Sequence, residues 1–176
     1  MDLEKKLRVW VSCCSTGQEV YSVAIMLLEL IEQSGLPIQV KLFATDADPT
    51  AVRIASEGHY SPPEVAEIDP DLLQRYFIPT VKGYRVSESV RKHIVFAHHN
   101  LLRDPPFSHI DLVTCRNMMI YLERSAQVQV LSSLHFALND DGLIMLGRSE
   151  SPRELSRGFK SLDENAKIFE NIPNQR

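Results

Sequence analysis

The sequence predicts a doubly wound α/β domain on a mostly parallel sheet. Three observations predict it. Short apolar, β-branched runs alternate with longer segments whose apolar residues recur three and four positions apart. Several of those short runs end in small or polar residues, as strands do where an open α/β sheet gathers its ligands. The length of 176 residues suits one domain, and 44% hydrophobic with 24% charged residues is the composition of a folded globular chain.

The elements follow in order. A buried strand is expected over 7–12, where Leu7, Val9, Trp10 and Val11 run into the small-residue stretch from Ser12 to Gly17. A long helix over 18–34 follows from the one-sided spacing of Val20, Val23, Ala24, Leu27, Leu28 and Ile31. Gly35 terminates it and Pro37 prevents its continuation. The second strand, 40–45, closes on Asp46, and Asp48-Pro49 opens a helix that runs to Gly58 with proline at its first position. Between Tyr60 and Lys92 the rhythm breaks. Pro62-Pro63, an acidic helix over 69–76 and a hairpin over 77–86, turning at Lys82-Gly83, mark an insertion over about 60–92. Strands over 94–97 and 110–114, a helix over 124–138 stopped by Asn139-Asp140-Asp141-Gly142, and strands over 143–147 and 167–170 complete one domain, 1–176.

Composition narrows the function. Nineteen basic against twenty-three acidic residues argue against nucleic acid as the partner. The charges are uneven: the stretch holding Lys82, Arg85, Arg91, Lys92 and Arg103 carries Glu88 as its one acid. That is either a solvated surface or a basic patch for an acidic partner. No apolar run reaches the ~18 residues of a membrane span, and Met1 to Lys6 contain no apolar leader. Cys13, Cys14 and Cys115 form no Cys-x-x-Cys pair, which points to a reducing cytoplasm. His93, His98, His99 and His109 lack zinc spacing, so no metal is expected and they read as surface or loop residues. Only six residues precede the first strand, as in a domain drawn from a longer protein.

The strand ends carry the chemistry. The first loop, Ser12-Cys13-Cys14-Ser15-Thr16-Gly17, has one glycine where a dinucleotide fingerprint has three, and no Gly-Lys-Ser/Thr follows it. Asp46 at the tip of the second strand is placed to accept hydrogen bonds from both hydroxyls of a ribose, or is an acid in a turn. A strand-two acid beside a loop without phosphate-binding glycines favours S-adenosylmethionine over a nicotinamide dinucleotide. Gly147-Arg148-Ser149-Glu150-Ser151 lacks the last glycine of a hydrolase elbow.

Four segments in order resemble the chemotaxis-receptor glutamate O-methyltransferases: residues 14–22 (CSTGQEVYS), 44–48 (ATDAD), 100–102 (NLL) and 115–122 (CRNMMIYL). Residues 141–151 (DGLIMLGRSES) and the spacing of 84–86 before 95–96 look like the same family. Residues 102–107 (LRDPPF) are similar to hybrid proteins that join a methylesterase module to the methyltransferase. The resemblance covers about 7–170. It implies a seven-stranded, Rossmann-like methyltransferase sheet with an antiparallel last strand. It also implies methyl transfer from S-adenosylmethionine, with S-adenosylhomocysteine as product, to glutamates on the cytoplasmic helices of methyl-accepting receptors.

Carried over position by position, Glu19 would meet the methionine end of the cofactor, in a first helical turn that favours a carboxylate. Asp46 would hold the ribose, and Asn100 and Leu101 would bracket the adenine. Ser15, Thr16 and Cys115 would complete the cofactor-binding set. Arg116 and Tyr121 would be the catalytic pair near the sulfonium, Arg116 also touching cofactor. The nucleophile needs no general base, because a glutamate of pKa about 4.3 is ionised at neutral pH. Arg116 would grip that carboxylate and Tyr121 steer it. The residues alone leave two alternatives open: Arg116 as the ion-pair partner of Asp46 or Glu19, and Tyr121 as a core aromatic.

Three features depart from the family. Cys13 stands where a glycine is expected, Gln18 where a glutamate is expected, and the family's N-terminal helical domain is absent. A non-catalytic, cofactor- or partner-binding module within a sensory hybrid protein is therefore the competing reading. Methylation of a small molecule or RNA is a weaker third.

Overall fold

Val9, Trp10 and Val11 are all fully buried, which a strand achieves only at the centre of a sheet covered on both faces. Their side chains divide accordingly. Val9 and Val11 join a cluster with Val20, Ala24 and Leu42, whereas Trp10 joins one with Ile110, Val113, Leu131, Leu134 and Ile144. Removing each such aliphatic side chain from water stabilises the fold by about 1.5–3 kcal/mol.

The computed structural model describes residues 5–152 and 158–173. Along the chain come β1 (Lys5–Val11), α1 (Gln18–Ser34), β2 (Ile38–Asp46), α2 (Pro49–Glu57), β3 (His59–Tyr60), α3 (Pro70–Tyr76), β4 (Phe77–Thr80) and β5 (Gly83–Val86). Then follow α4 (Glu88–Arg91), β6 (Ile94–His98), β7 (Ile110–Cys115), α5 (Arg124–Ala137), β8 (Leu138–Leu146), β9 (Phe159–Asp163) and β10 (Ile168–Asn171). Seven strands form one sheet in the order β6-β2-β1-β7-β8-β10-β9. The first five run parallel, and β10 lies antiparallel between β8 and β9. The sheet is thus mostly parallel with an antiparallel last strand, as the resemblance implies. The strand order reverses between β1 and β7, and that is where α/β sheets open a ligand crevice.

Local chemistry sets the boundaries. Gly35, at φ 64°, closes α1, and its N–H bonds the carbonyl of Glu32. Asp48 caps α2 by accepting the N–H of Thr50, with Pro49 behind it. The insertion contains the expected hairpin, β4–β5, to which β3 adds a third antiparallel strand.

Four expectations change. Strand β9 gave no sequence signal, because every side chain after Phe159 is exposed and no alternation results. No loop separates α5 from β8: the chain passes from Ala137 straight into the strand. A register break between Ile110 and Leu112, with Asp141 at φ 61°, absorbs the turn residues there. His99 is buried rather than superficial. It packs edge-on to Trp10 and stacks with Phe107, and its Nε2 lies 3.0 Å from the carbonyl of Pro105. Two basic residues of the 82–103 stretch also have structural work. Arg91 donates to the carbonyl of Ser56 and Arg85 to that of Glu57, so both guanidiniums sit on the carbonyl end of α2.

Candidate functional site

Three loops meet at the carboxyl ends of β1, β2 and β7. The loop after β1 is fastened to both neighbouring strands. Ser12 donates its N–H and its hydroxyl to the carbonyl of Thr114, and Cys14 donates its N–H to that of Thr45. Ser15, at φ 48°, then points its N–H at Asp46 Oδ2, 2.9 Å away, while Asp46 Oδ1 accepts the N–H of Asp48 at 3.0 Å. Gly17 turns the chain into α1 at φ 100°. A Cβ there would lie 2.8 Å from Tyr60 Oη and 3.0 Å from Ala55 Cβ, so glycine is required twice over. Tyr60 closes the brace from the insertion, donating its hydroxyl to the carbonyl of Thr16 at 2.9 Å.

Glu19 follows in the first turn of α1, where the helix dipole favours its charge. Its Oε1 accepts the hydroxyl of Thr114 at 2.6 Å, and its Oε2 lies 3.4 Å from Arg116 Nη1. Arg116 therefore pairs with Glu19 and not with Asp46. Its Nε is buried and has no hydrogen-bond partner among the described residues. Tyr121 ends the 3-10 turn Met119–Tyr121 and is 83% exposed, which removes the core-aromatic alternative. Burial, and secondarily the charge of Asp46, pushes the Cys14 thiol up to about 12, so it is protonated at neutral pH and is no nucleophile.

These loops enclose a cleft of about 420 Å3 lined by Cys13, Ser15, Glu19, Asp46, Arg116 and Tyr121 among others. That volume lies in the ~300–1,000 Å3 range of small-molecule sites.

A protein family described as "CheR methyltransferase, SAM binding domain" matches residues 1–168. The chain belongs to this family. An uncharacterised 104.1 kDa protein of Rhodobacter capsulatus is 37% identical over 164 residues, covering 93% of this chain and 17% of that protein. The chemotaxis protein methyltransferase of Escherichia coli K12 is 35% identical over 161 residues, covering 86% of this chain and 54% of the relative. The chain thus spans about half the length of such chemotaxis relatives. Among solved structures, a TehB-like SAM-dependent methyltransferase from Corynebacterium glutamicum aligns with a TM-score of 0.52 at 13% identity, over 96% of this chain and 80% of that one. That likeness concerns the fold.

In this CheR-family domain the residues named from sequence separate into two groups. Ser15, Glu19, Asp46, Arg116 and Tyr121 line the cleft; Thr16, Asn100, Leu101 and Cys115 do not. Thr16 serves the loop through its carbonyl, and Cys115 is fully buried at the carboxyl end of β7. Asn100 and Leu101 follow β6, whose His98 stands opposite Asp46 in the β2–β6 register. They therefore lie at the same sheet edge as Asp46, with the Asn100 amide oxygen engaged by the N–H of Leu102. Cys13, Gln18, Asn117 and Met118 also line the cleft. Thr114, the hydroxyl partner of Glu19, was missed because a lone threonine late in a buried strand carries no sequence signal.

The donor set fits S-adenosylmethionine. Two carboxylates and an arginine with an unpaired buried Nε surround a cleft of suitable size, and each carboxylate oxygen retains a free lone pair for a ligand hydroxyl or ammonium. Among the described residues no helix is long and apolar enough to cross a membrane.

Proposed function

We propose that this domain methylates glutamate side chains on the cytoplasmic helices of chemotaxis receptors, using S-adenosylmethionine. One observation supports it above the rest: Arg116, Glu19 and Asp46 line one cleft at the carboxyl ends of the strands, with Arg116 Nη1 3.4 Å from Glu19 Oε2. A guanidinium that lines the cleft and is anchored through one nitrogen presents a fixed cation to an incoming carboxylate.

When bound, S-adenosylmethionine supplies an electrophilic methyl group and departs as S-adenosylhomocysteine. The chain's own residues supply binding and alignment. Asp46 accepts the ribose hydroxyls on the lone pairs that Ser15 and Asp48 leave free, and Glu19 receives the ammonium. Asn100 and Leu101 border the adenine. Arg116 holds the acceptor glutamate, already ionised at neutral pH, and Tyr121 at the mouth steers it toward the reacting carbon. No proton moves at the reacting centre, so alignment supplies the acceleration.

The match to 17% of a 104.1 kDa protein supports the further reading that the domain works as one module of a larger sensory protein, with a helical domain or methylesterase module as neighbours and the cytoplasm as its compartment. The competing reading, a module that binds cofactor without transfer, is favoured by Cys13, which lines the cleft. Incubation with methyl-labelled S-adenosylmethionine and a receptor cytoplasmic fragment separates the two. Base-labile label on the receptor supports transfer. Saturable binding of S-adenosylhomocysteine without labelling supports the binding module.

A further inference from the structure

Four backbone N–H groups converge on one buried side chain behind the cleft. Glu150 is 4% exposed. Its Oε2 accepts the N–H groups of Asn117 at 2.9 Å and Gly147 at 2.7 Å; its Oε1 accepts those of Met118 at 2.9 Å and Met119 at 2.8 Å. Three of these amides are consecutive, and they link Arg116 at the end of β7 to the turn that carries Tyr121. Asn117 sits at φ 59°, the left-handed conformation that turns successive amides toward one anion. Such concavities ordinarily hold a bound anion, but here the chain provides its own.

Only an ionised carboxylate suits this position. It has acceptor sites for all four donors and no hydrogen to turn against them, whereas an amide would face two N–H groups with its own. Bonds to a charged acceptor are also shorter and stronger than neutral ones. Gly147 completes the fit: a Cβ there would lie 2.6 Å from both Asn117 Oδ1 and Glu150 Oε2 and would force the assembly apart.

We infer that Glu150 is a positioning residue for methyl transfer, clasping residues 117–119 so that Arg116 and Tyr121 are held across the cleft from Glu19 and Asp46. The inference rests on the functional reading of the cleft. Glu150 does not itself line the cleft. Its effect passes through the loop, so cofactor affinity, to which Asp46 and Glu19 on the opposite loops contribute the charged contacts, should fall less than turnover.

The test is Glu150→Gln in the full chain, read by amide hydrogen exchange, S-adenosylhomocysteine titration and methyl transfer to the receptor fragment. Exchange is expected to accelerate selectively over 116–121, with affinity within about threefold and kcat down by about 10–100-fold, the effect of displacing a reacting group by about an ångström. Unchanged exchange over 116–121 would overturn the inference. So would unchanged turnover, or exchange that rises evenly through the chain as kcat falls, since that marks a residue serving global stability. If the glutamine variant does not fold, Glu150→Asp, which keeps the charge but withdraws it by one methylene, is measured with the same expected split. Failure of the unmodified chain to bind S-adenosylhomocysteine would instead sink the cofactor reading, and the exchange pattern would still decide whether Glu150 holds the loop.

Discussion

The loops after β1 and β7 face each other across the cleft and are held in opposite ways. The first is short and fastened by dispersed bonds from three sides: Thr114 and Thr45 in the sheet, Asp46 at the tip of β2, and Tyr60 in the insertion. The second is gathered by one carboxylate from more than thirty residues downstream, which takes three of its amides at once, with Gln127 donating to the carbonyls of Met119 and Leu122. Distributed bonds yield singly. A clasp built on one charge fails as a unit, because losing the acceptor strands several buried donors together.

The largest effect on the first loop should come from its one irreplaceable backbone position. Gly17→Ala must adopt φ 100° and drive its methyl against Tyr60 Oη and Ala55, so a loss of about 2–4 kcal/mol is expected in urea unfolding. A loss below about 0.5 kcal/mol would show that the loop relaxes freely, and the contrast between the two loops would weaken.

Alkaline titration compares the thiols at the base of each loop. Burial first, then the Asp46 charge, raises Cys14 from 9.0 to about 12; Cys115 is also raised, first by its hydrogen bond with Cys13 and then by burial. Both remain protonated in the fold at a pH where the unfolded chain has begun to ionise. For Cys14, stability present below pH 9 is therefore lost as pH climbs from 9 toward 12, by about 1.4 kcal/mol at pH 10, and Cys115 acts in the same direction. Unfolding curves at pH 8 and 10, repeated on Cys14→Ala, check this. The alanine variant should lose less on alkalisation, and an identical loss would remove Cys14 from the account.

Smaller effects sharpen the picture. Tyr60→Phe deletes one hydrogen bond to the carbonyl of Thr16 and is expected to lower stability by about 1 kcal/mol. Cys13→Gly removes the side chain of a residue that lines the cleft and should tighten S-adenosylhomocysteine binding by about 1 kcal/mol, roughly fivefold, under reducing conditions. Weaker binding in that variant would mean that the cysteine contributes to the site.

The two loops also differ in how far sequence reveals them. Around the first, Val9 and Val11, the spacing along α1, and the Gly17, Gly35 and Pro49 punctuation lie next to what they shape, so β1 through α2 are readable from local chemistry. Asp46 follows because it sits where that pattern ends, whereas Glu19 enters by resemblance. Around the second, Arg116 and Tyr121 stand out by resemblance alone, and Glu150 only within the resembling segment 141–151 with no role attached, since three of its four amide partners are distant in the chain and amides carry no sequence signature. Strand β9 and His99 fail for related reasons. An edge strand exposed beyond Phe159 has no alternation, and the burial of His99 depends on Trp10 and Phe107, each brought to it by the fold. Loss of Asp46 should also affect the ligand-free protein, because the same carboxylate that would hold a ribose also fixes the N–H groups of Ser15 and Asp48.

The central claim is that the cleft between these loops is a nucleoside site whose ribose contact is Asp46. Calorimetric titration of S-adenosylhomocysteine into the unmodified chain and into Asp46→Ala, below both melting temperatures, tests it most directly. The account predicts one saturable site in the former and a loss of about 1.5–3 kcal/mol in the latter, as for hydrogen bonds to a charged group. Equal affinity in the two proteins, or no heat in either, would contradict it.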